Sequence, residues 1–275
     1  MLKTNTTKQY KRLLTIAGSD SGGGAGIQAD LKTFSALGCY GMSVITALTA
    51  QNTQVVSAVY PVPASFIRQQ MLAVFSDIGV DSVKIGMLHS AEVIEIVANT
   101  LKEFAIKHVV LDPVMVAKSG DRLMQEEAID ALKTCLIPLA TMITPNLPEA
   151  AVLLGEPINS IPQMLTSAKK LSQLGSQSVL LKGGHLQSQQ SIDILYEHQY
   201  DTFTELSHTR IQTHNSHGTG CTLSSAIAAY LAKGCSIKEA VSAAKTYLTF
   251  ALQAGASYTI GQGHGPVHHF YQVWD

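Results

Sequence analysis

Short β-branched runs alternate with longer segments of helical period along almost the whole chain, and few folds accommodate that alternation. Candidate strands cover residues 13–17, 55–60, 82–85, 108–112, 141–144 and 178–181, with a hairpin-like pair near 192–196 and 202–206. Helical patterns lie between them: 27–37 ends at Gly38, 64–75 precedes Gly79, 91–104 leads into a strand, and 161–174 ends at Gly175. A strand-then-helix repeat of this kind predicts an α/β fold, a mostly parallel sheet covered by helices on both faces. The 275 residues, 46% of them hydrophobic, suffice for a large core, and no linker, low-complexity tract or internal repeat divides them. Residues 13–275 therefore read as one domain behind a polar, uncapped tail at 1–12.

Charge and cysteine usage exclude several classes of partner. A formal net charge of -1 and a pI near 6.8 give no footprint for nucleic acid or anionic membrane, which leaves small molecules. The four cysteines, Cys39, Cys135, Cys221 and Cys235, show no C-x-x-C spacing, so neither a disulfide framework nor a zinc ribbon is indicated. A reducing, cytoplasmic setting fits them. The apolar stretch at 13–18 is too short for a signal peptide, and no run approaches the roughly 18 apolar residues of a membrane span.

The chemistry is concentrated where glycines precede helices. His217-Gly218-Thr219-Gly220-Cys221 runs into an alanine-rich helix and reads as an anion hole: glycines let backbone N–H groups converge on a negative group, and the helix N-terminus adds partial positive charge. Cys221 at that mouth is a nucleophile or base, and the combination points to phosphoryl transfer. An earlier cluster, Gly22-Gly23-Gly24-Ala25-Gly26, follows the first strand and loosely satisfies a dinucleotide fingerprint. That reading fails because no Asp or Glu occurs between Asp30 and Asp77 to hold a ribose. No glycine is followed by lysine, so a Walker A loop is excluded as well.

Other candidates sit at strand ends. Asp30, placed in the first turn of its helix, either caps it or accepts from a ligand. Gln51 carries donor and acceptor on one planar amide, a match for an aminopyrimidine edge, or is a solvated loop residue. Asp112 ends a strand, where open sheets bind ligands, and is a metal or phosphate-side candidate. Asn146 and Glu149 share a helix face at i, i+3, suiting either a capping box or Mg²⁺ held mostly through water. Lys182, in Lys182-Gly183-Gly184-His185, suits nucleotide phosphates. Met87 reads as core or as the wall of an aromatic ligand site. The ten histidines show no metal-ligand spacing, and His208, His214, His217, His264, His268 and His269 read as structural or solvated on loops and the C-terminal tail.

Taken together, Thr15-Ile16-Ala17-Gly18-Ser19-Asp20, the run from Gly23 to Thr33, Val44 to Thr53, Lys84-Ile85-Gly86-Met87, Leu111 to Met115, Ile143 to Ala150, Lys182 to His185, His217 to Thr222 and Gly265 to His269 closely resemble the hydroxymethylpyrimidine/phosphomethylpyrimidine kinases of thiamine synthesis, across nearly the whole chain. The resemblance implies a ribokinase-like three-layer sandwich with a rudimentary lid, assembled as a homodimer. It implies ATP-dependent phosphorylation of 4-amino-5-hydroxymethyl-2-methylpyrimidine to the monophosphate and then to the diphosphate. Carried onto this chain, it gives Asp30, Gln51, Met87 and Val114 to the pyrimidine and makes Cys221 the base. It gives Asp112, Asn146 and Glu149 to Mg²⁺ and phosphates, and Lys182 and Lys245 to the nucleotide, with a monovalent cation as a further candidate. The backbone of Gly218, Thr219, Gly220 and Cys221 would hold the transferring group.

The wider superfamily carries Asp at the base position; here a helix N-terminus is expected to lower the Cys221 thiol and supply a useful thiolate fraction at neutral pH. Gly22 and Ser216 replace the Ser and Thr usual in the family, adjusting loops without removing a catalytic group. The alternatives are a pyridoxal or pyridoxine kinase, a catalytically silent ligand-binding relative, and a dehydrogenase. Gln51-Asn52 argues against the first, because pyridoxal specialists tend to carry Met-Asp there. Intact Asp112, Asn146, Glu149 and Cys221 argue against the second, and the missing ribose acid against the third.

Overall fold

Successive residues of a strand face opposite sides of a sheet, and here both sides are apolar. Val109 and Leu111, Val179 and Leu181, and Ile194 pack into one core, while Val110, Leu180 and Leu195 between them pack into another. A sheet patterned this way has to be covered twice. The computed structural model of the chain describes residues 8–115, 127–184, 186 and 190–274. His185 and residues 1–7 of the expected tail lie outside the described residues.

Nine strands among the described residues form one sheet: β1 (Arg12–Asp20), β2 (Tyr40–Gln51), β3 (Val56–Pro61), β4 (Ser82–Ile85), β5 (Val109–Leu111), β6 (Met142–Ile143), β7 (Ser178–Lys182), β8 (Gln190–Glu197) and β9 (Thr202–Thr209). Their order is β3-β2-β1-β4-β5-β6-β7-β8-β9. β1 is parallel to both β2 and β4, and parallel pairing continues through β7, whereas β3, β8 and β9 pair antiparallel at the edges.

The helices are α1 (Gly26–Ala36), α2 (Ala64–Ala73), α3 (Ala91–Glu103), α4 (Glu127–Ala131), α5 (Leu147–Leu154), α6 (Ile161–Ser172), α7 (Thr219–Ala232) and α8 (Ile237–Gly255). α1, α7 and α8 bring Phe34, Leu223, Ile227 and Val241 to one core. α2, α3, α5 and α6 bring Met71, Ile94, Leu153 and Met164 to the other. Because the chain leaves β1 toward β2 and later returns on its other side as β4, a crevice opens beyond the carboxyl end of β1, where such sheets bind ligands.

Three expectations change. β2, twelve residues long, escaped the reading of strand runs. Arg12, assigned to the tail, begins β1, its guanidinium 2.8 Å from Asp81. The helical pattern at 64–75 is α2 followed by a wider π-turn at Val74–Ile78.

Candidate active site

A cleft of about 850 Å³ lies at the carboxyl ends of the parallel strands. Two glycine loops form its mouth. Gly218 caps α7 in the left-handed region, φ +76, where a side chain is strained, and a Cβ there would overlap the Gly24 carbonyl oxygen. The loops are therefore in backbone contact, and only glycine permits it. Gly220, by contrast, lies inside α7 without an unusual dihedral, and its Cβ position is 3.4 Å from Asp112 Oδ2 and Lys182 Nζ, close to ordinary contact. In the first turn of α7 Thr219 N donates to Ser216 O at 3.4 Å, and Thr219, Gly220 and Cys221 all line the cleft.

Asp20, which sequence reasoning passed over, holds the first loop. Its Oδ1 accepts from Gly22 N at 2.8 Å and its Oδ2 from Gly24 N at 3.0 Å and Ala25 N at 2.8 Å. His217 Nε2 lies 2.8 Å from Oδ2, tying the second loop to the first. Burial pushes the Asp20 carboxyl upward, but His217 and the Ala25 N–H outweigh it and hold the group below its ordinary range. His217 is thus part of the cleft, and His208 lies in β9; neither is a solvated loop residue.

Gln51 ends β2 instead of sitting in a loop, with its Oε1 accepting from Thr49 Oγ1 at 3.2 Å and its Nε2 3.4 Å from His217 Nε2. With His217 Nε2 donating to Asp20, that nitrogen has no lone pair left for Gln51 Nε2, so the amide's support is the bond from Thr49, and Gln51 lines the cleft with Met87 and Val114. Asp30 does not join them. It lies beyond the first turn of α1, wholly buried, and its carboxylate takes Lys84 Nζ at 2.9 Å, Thr15 Oγ1 at 2.6 Å and Ser225 Oγ at 2.7 Å. Its oxygens are spent on the interior, so the assignment of Asp30 to substrate is withdrawn. Its partner Lys84 lines the cleft from below, and although burial disfavours the ammonium, Asp30 raises its pKa and keeps it charged.

The other side of the cleft carries paired charges. Lys182 Nζ donates to Asp112 Oδ1 at 2.8 Å, and Thr144 Oγ1 donates to the same oxygen at 3.1 Å. Burial opposes both charges, yet each holds its partner ionised: Asp112 is lowered and Lys182 raised. Asn146 caps α5 and forms a reciprocal capping box with Glu149, at 2.9 Å and 2.8 Å, so the capping explanation of the pair holds while both side chains still line the cleft. Burial pushes the Glu149 carboxyl up to about 7, with Lys182 opposing and Asp112 reinforcing the shift. No cluster of three His, Cys, Asp or Glu that could hold a metal occurs among the described residues. Hard oxygen donors without a protein cage suit an ion held chiefly by phosphates and water. Lys245 reaches the cleft, but its ammonium is engaged by Asp193, with Ser191 Oγ at 3.4 Å.

Cys221 opens onto the cleft from the first turn of α7. The expected thiolate is not its resting form. Burial pushes the thiol up to about 11; Lys84 and a hydrogen bond from the Gly26 N–H pull it down, while Asp30 and Asp112 push it further up. Desolvation outweighs the helix terminus.

The sequence pattern described as Phosphomethylpyrimidine kinase matches residues 20–268. The chain belongs to the phosphomethylpyrimidine kinase family. It is similar to the hydroxymethylpyrimidine/phosphomethylpyrimidine kinase of Rhizobium meliloti, 55% identical over 262 residues that cover 95% of this chain and 97% of that protein. A phosphomethylpyrimidine kinase structure from Clostridium difficile is 49% identical with a TM-score of 0.78, covering 87% of this chain and 98% of its own. The ADP complex of Bacillus subtilis pyridoxal kinase is 42% identical with a TM-score of 0.89, covering 97% and 100%. The fold is ribokinase-like and the kinase is a phosphotransferase.

Proposed function

We propose that this kinase phosphorylates 4-amino-5-hydroxymethyl-2-methylpyrimidine with ATP and then phosphorylates the resulting monophosphate, giving the pyrimidine diphosphate of thiamine biosynthesis. The observation that carries this reading is the position of Gln51: its amide, held by Thr49 and beside His217, shares one cleft with the glycine mouth of α7. An amide donor and acceptor side by side match the exocyclic amine and adjacent ring nitrogen of an aminopyrimidine. Met87 and Val114 wall its ring, and Cys221 accepts the hydroxymethyl proton.

The N–H groups of Gly218 to Cys221 meet the transferring phosphoryl, where positioning and charge neutralisation supply most of the rate. Lys182 contacts the nucleotide phosphates. Glu149 and Asp112, with Asn146 beside them, would hold Mg²⁺ largely through water, and the ion would neutralise charge on the phosphates. Lys245 acts at the nucleotide end only through its tie to Asp193.

The protein works as one domain over residues 13–275. A homodimer is supported by exposed Leu48, Val59 and Tyr60 on the β2–β3 edge, and a cytoplasmic setting by four unpaired cysteines. Among the described residues no helix is long and apolar enough to cross a membrane. The pyridoxal kinase likeness favours a second reading, in which pyridoxal is the better substrate. The test of the two-step reading is product analysis with ATP and the pyrimidine alcohol: the monophosphate accumulates first and is then consumed as the diphosphate appears. A reaction that stops at the monophosphate contradicts it.

A further inference from the structure

The regular part of the sheet stops short of Gln51, whose contact with the pyrimidine is the reading on which this inference rests. β1 last pairs with β2 at Asp20 and Thr49, and the β2–β3 register shifts between Ala50 and Gln51. Gln51 therefore lies where neither neighbouring strand fixes it as a regular ladder would. Its backbone is held instead by Ser21 of the first glycine loop, whose Oγ donates to Gln51 O and accepts from Gln51 N, each at 2.8 Å. The turn that follows closes on itself, Asn52 Oδ1 accepting from Gln54 N at 2.8 Å and from Val55 N at 3.0 Å.

Thr53, inside that turn, receives a segment from the far end of the chain. Gly263 N, 210 positions further on, donates to Thr53 Oγ1 at 3.1 Å, and His264 N donates to Thr53 O at 2.9 Å. A Cβ on Gly263 would overlap that carbonyl oxygen, so the approach of the two backbones requires glycine. Next along, Gly265 O accepts from His217 N at 3.0 Å, and Pro266 forms a parallel bridge with His217. His217 Nε2 meets Asp20 Oδ2 at 2.8 Å, which closes a ring: the first glycine loop, the Gln51 turn, residues 261–266, the α7 mouth and the first loop again. The ring is fastened from behind. Asn215 Nδ2 donates to Gly255 O at 2.7 Å and to Tyr258 O at 2.6 Å, and His268 N donates to Ala251 O at 3.0 Å.

We propose that residues 261–266 are a strap that sets the distance between the Gln51 amide, which takes the pyrimidine ring, and the α7 mouth, which takes the transferring phosphoryl, with Thr53 and Gly263 as its positioning residues. Neither of the two lines the cleft, so they act through Gln51 and His217, which do. The hydroxymethyl oxygen has to meet the phosphorus at one distance and angle, and a misplacement of about 1 Å costs about 10²-fold in rate. The nucleotide phosphates lie toward Lys182 on β7, which the strap does not touch, so loosening the strap weakens the grip on the pyrimidine and leaves that on ATP in place.

The experiment measures KM and kcat for the pyrimidine alcohol at saturating ATP, and the Kd of ATP, in wild type, Gly263→Ala, Thr53→Ala and Thr53→Ser, with rates normalised to the ATP-binding sites titrated in each preparation. Gly263→Ala raises KM for the alcohol about tenfold or more and lowers kcat/KM about 10²-fold, while the Kd of ATP stays within about twofold. Thr53→Ala, which strips the acceptor from Gly263 N, raises that KM about threefold or more, and Thr53→Ser, which keeps the hydroxyl, restores it. A segment that only packs the molecule lowers the Tm and the fraction of active sites but leaves the KM of those sites unchanged, and that result in Gly263→Ala and Thr53→Ala overturns the proposal. Where Gly263→Ala does not fold, the Thr53 pair decides: an unchanged KM in Thr53→Ala, or a raised one that Thr53→Ser does not restore, overturns it. A wild-type enzyme that leaves the alcohol unphosphorylated overturns the substrate reading itself, and with it the ring contact that the strap serves.

Discussion

Gly218→Val lowers kcat/KM by about 10³-fold or more, because it removes backbone donors from the transferring phosphoryl, and each such donor is worth about 10²–10³ in rate. Two effects add. The residue needs φ +76, which costs a β-branched side chain about 1–2 kcal/mol. Its Cβ would also overlap the Gly24 carbonyl oxygen, forcing apart the loops that Asp20 and His217 join. Because the atom overlapped is backbone, the two loops have to separate, and turnover is compared in preparations whose far-UV circular dichroism is native. A folded Gly218→Val enzyme with turnover within about threefold of wild type removes the α7 mouth from catalysis.

Alkylation of Cys221 by iodoacetamide accelerates about tenfold per pH unit from about pH 7 to about pH 10 and levels off only near 11, the thiolate being the reactive form. The sign follows from burial: desolvation disfavours the charged sulfur, so its population lags behind that of an exposed cysteine at every neutral pH. Lys84 and the Gly26 N–H oppose the shift, and Asp30 and Asp112 reinforce it. Mass spectrometry of the Cys221 peptide separates it from Cys39, Cys135 and Cys235. A rate that plateaus by about pH 8 contradicts the account of the cleft floor and restores a thiol activated by its helix terminus.

Residues 82–85 and 178–181 were legible as strands because buried parallel strands read as short apolar or β-branched runs, and they became β4 and, with one more residue, β7. β2 was not, because Gly41, Ser43, Ala47 and Ala50 dilute its pattern, and a solvated loop therefore stayed open as an alternative for Gln51. The anion-hole loop was legible because glycine spacing before a helix has a local cause.

Asp30 was misread because a carboxylate near a glycine loop looks the same in sequence whether it meets a ligand or a lysine from β4. Ser225, polar on a helix buried nearly all round, is explained only once it is seen to donate to Asp30. Replacing such a buried pair piecemeal is costly, since an unpaired buried charge costs about 3–5 kcal/mol. Asp20 and His217, far apart in the chain, showed no local signal of their contact. The Cys221 thiol illustrates the same limit: the helix terminus is readable from sequence, but the depth of burial that overrides it is not.

The most direct test of the account is the kcat/KM of wild type and Gln51→Met for the aminopyrimidine alcohol and for pyridoxal, each with saturating ATP. Pyridoxal lacks the paired amine and ring-nitrogen edge, and leaving the Gln51 amide unpaired once a bound ligand covers it costs about 1–3 kcal/mol, so wild type favours the pyrimidine by about tenfold or more and Gln51→Met loses most of that preference. A wild-type enzyme that prefers pyridoxal, or a Gln51→Met ratio equal to that of wild type, contradicts both the Gln51 contact and the substrate assigned through it.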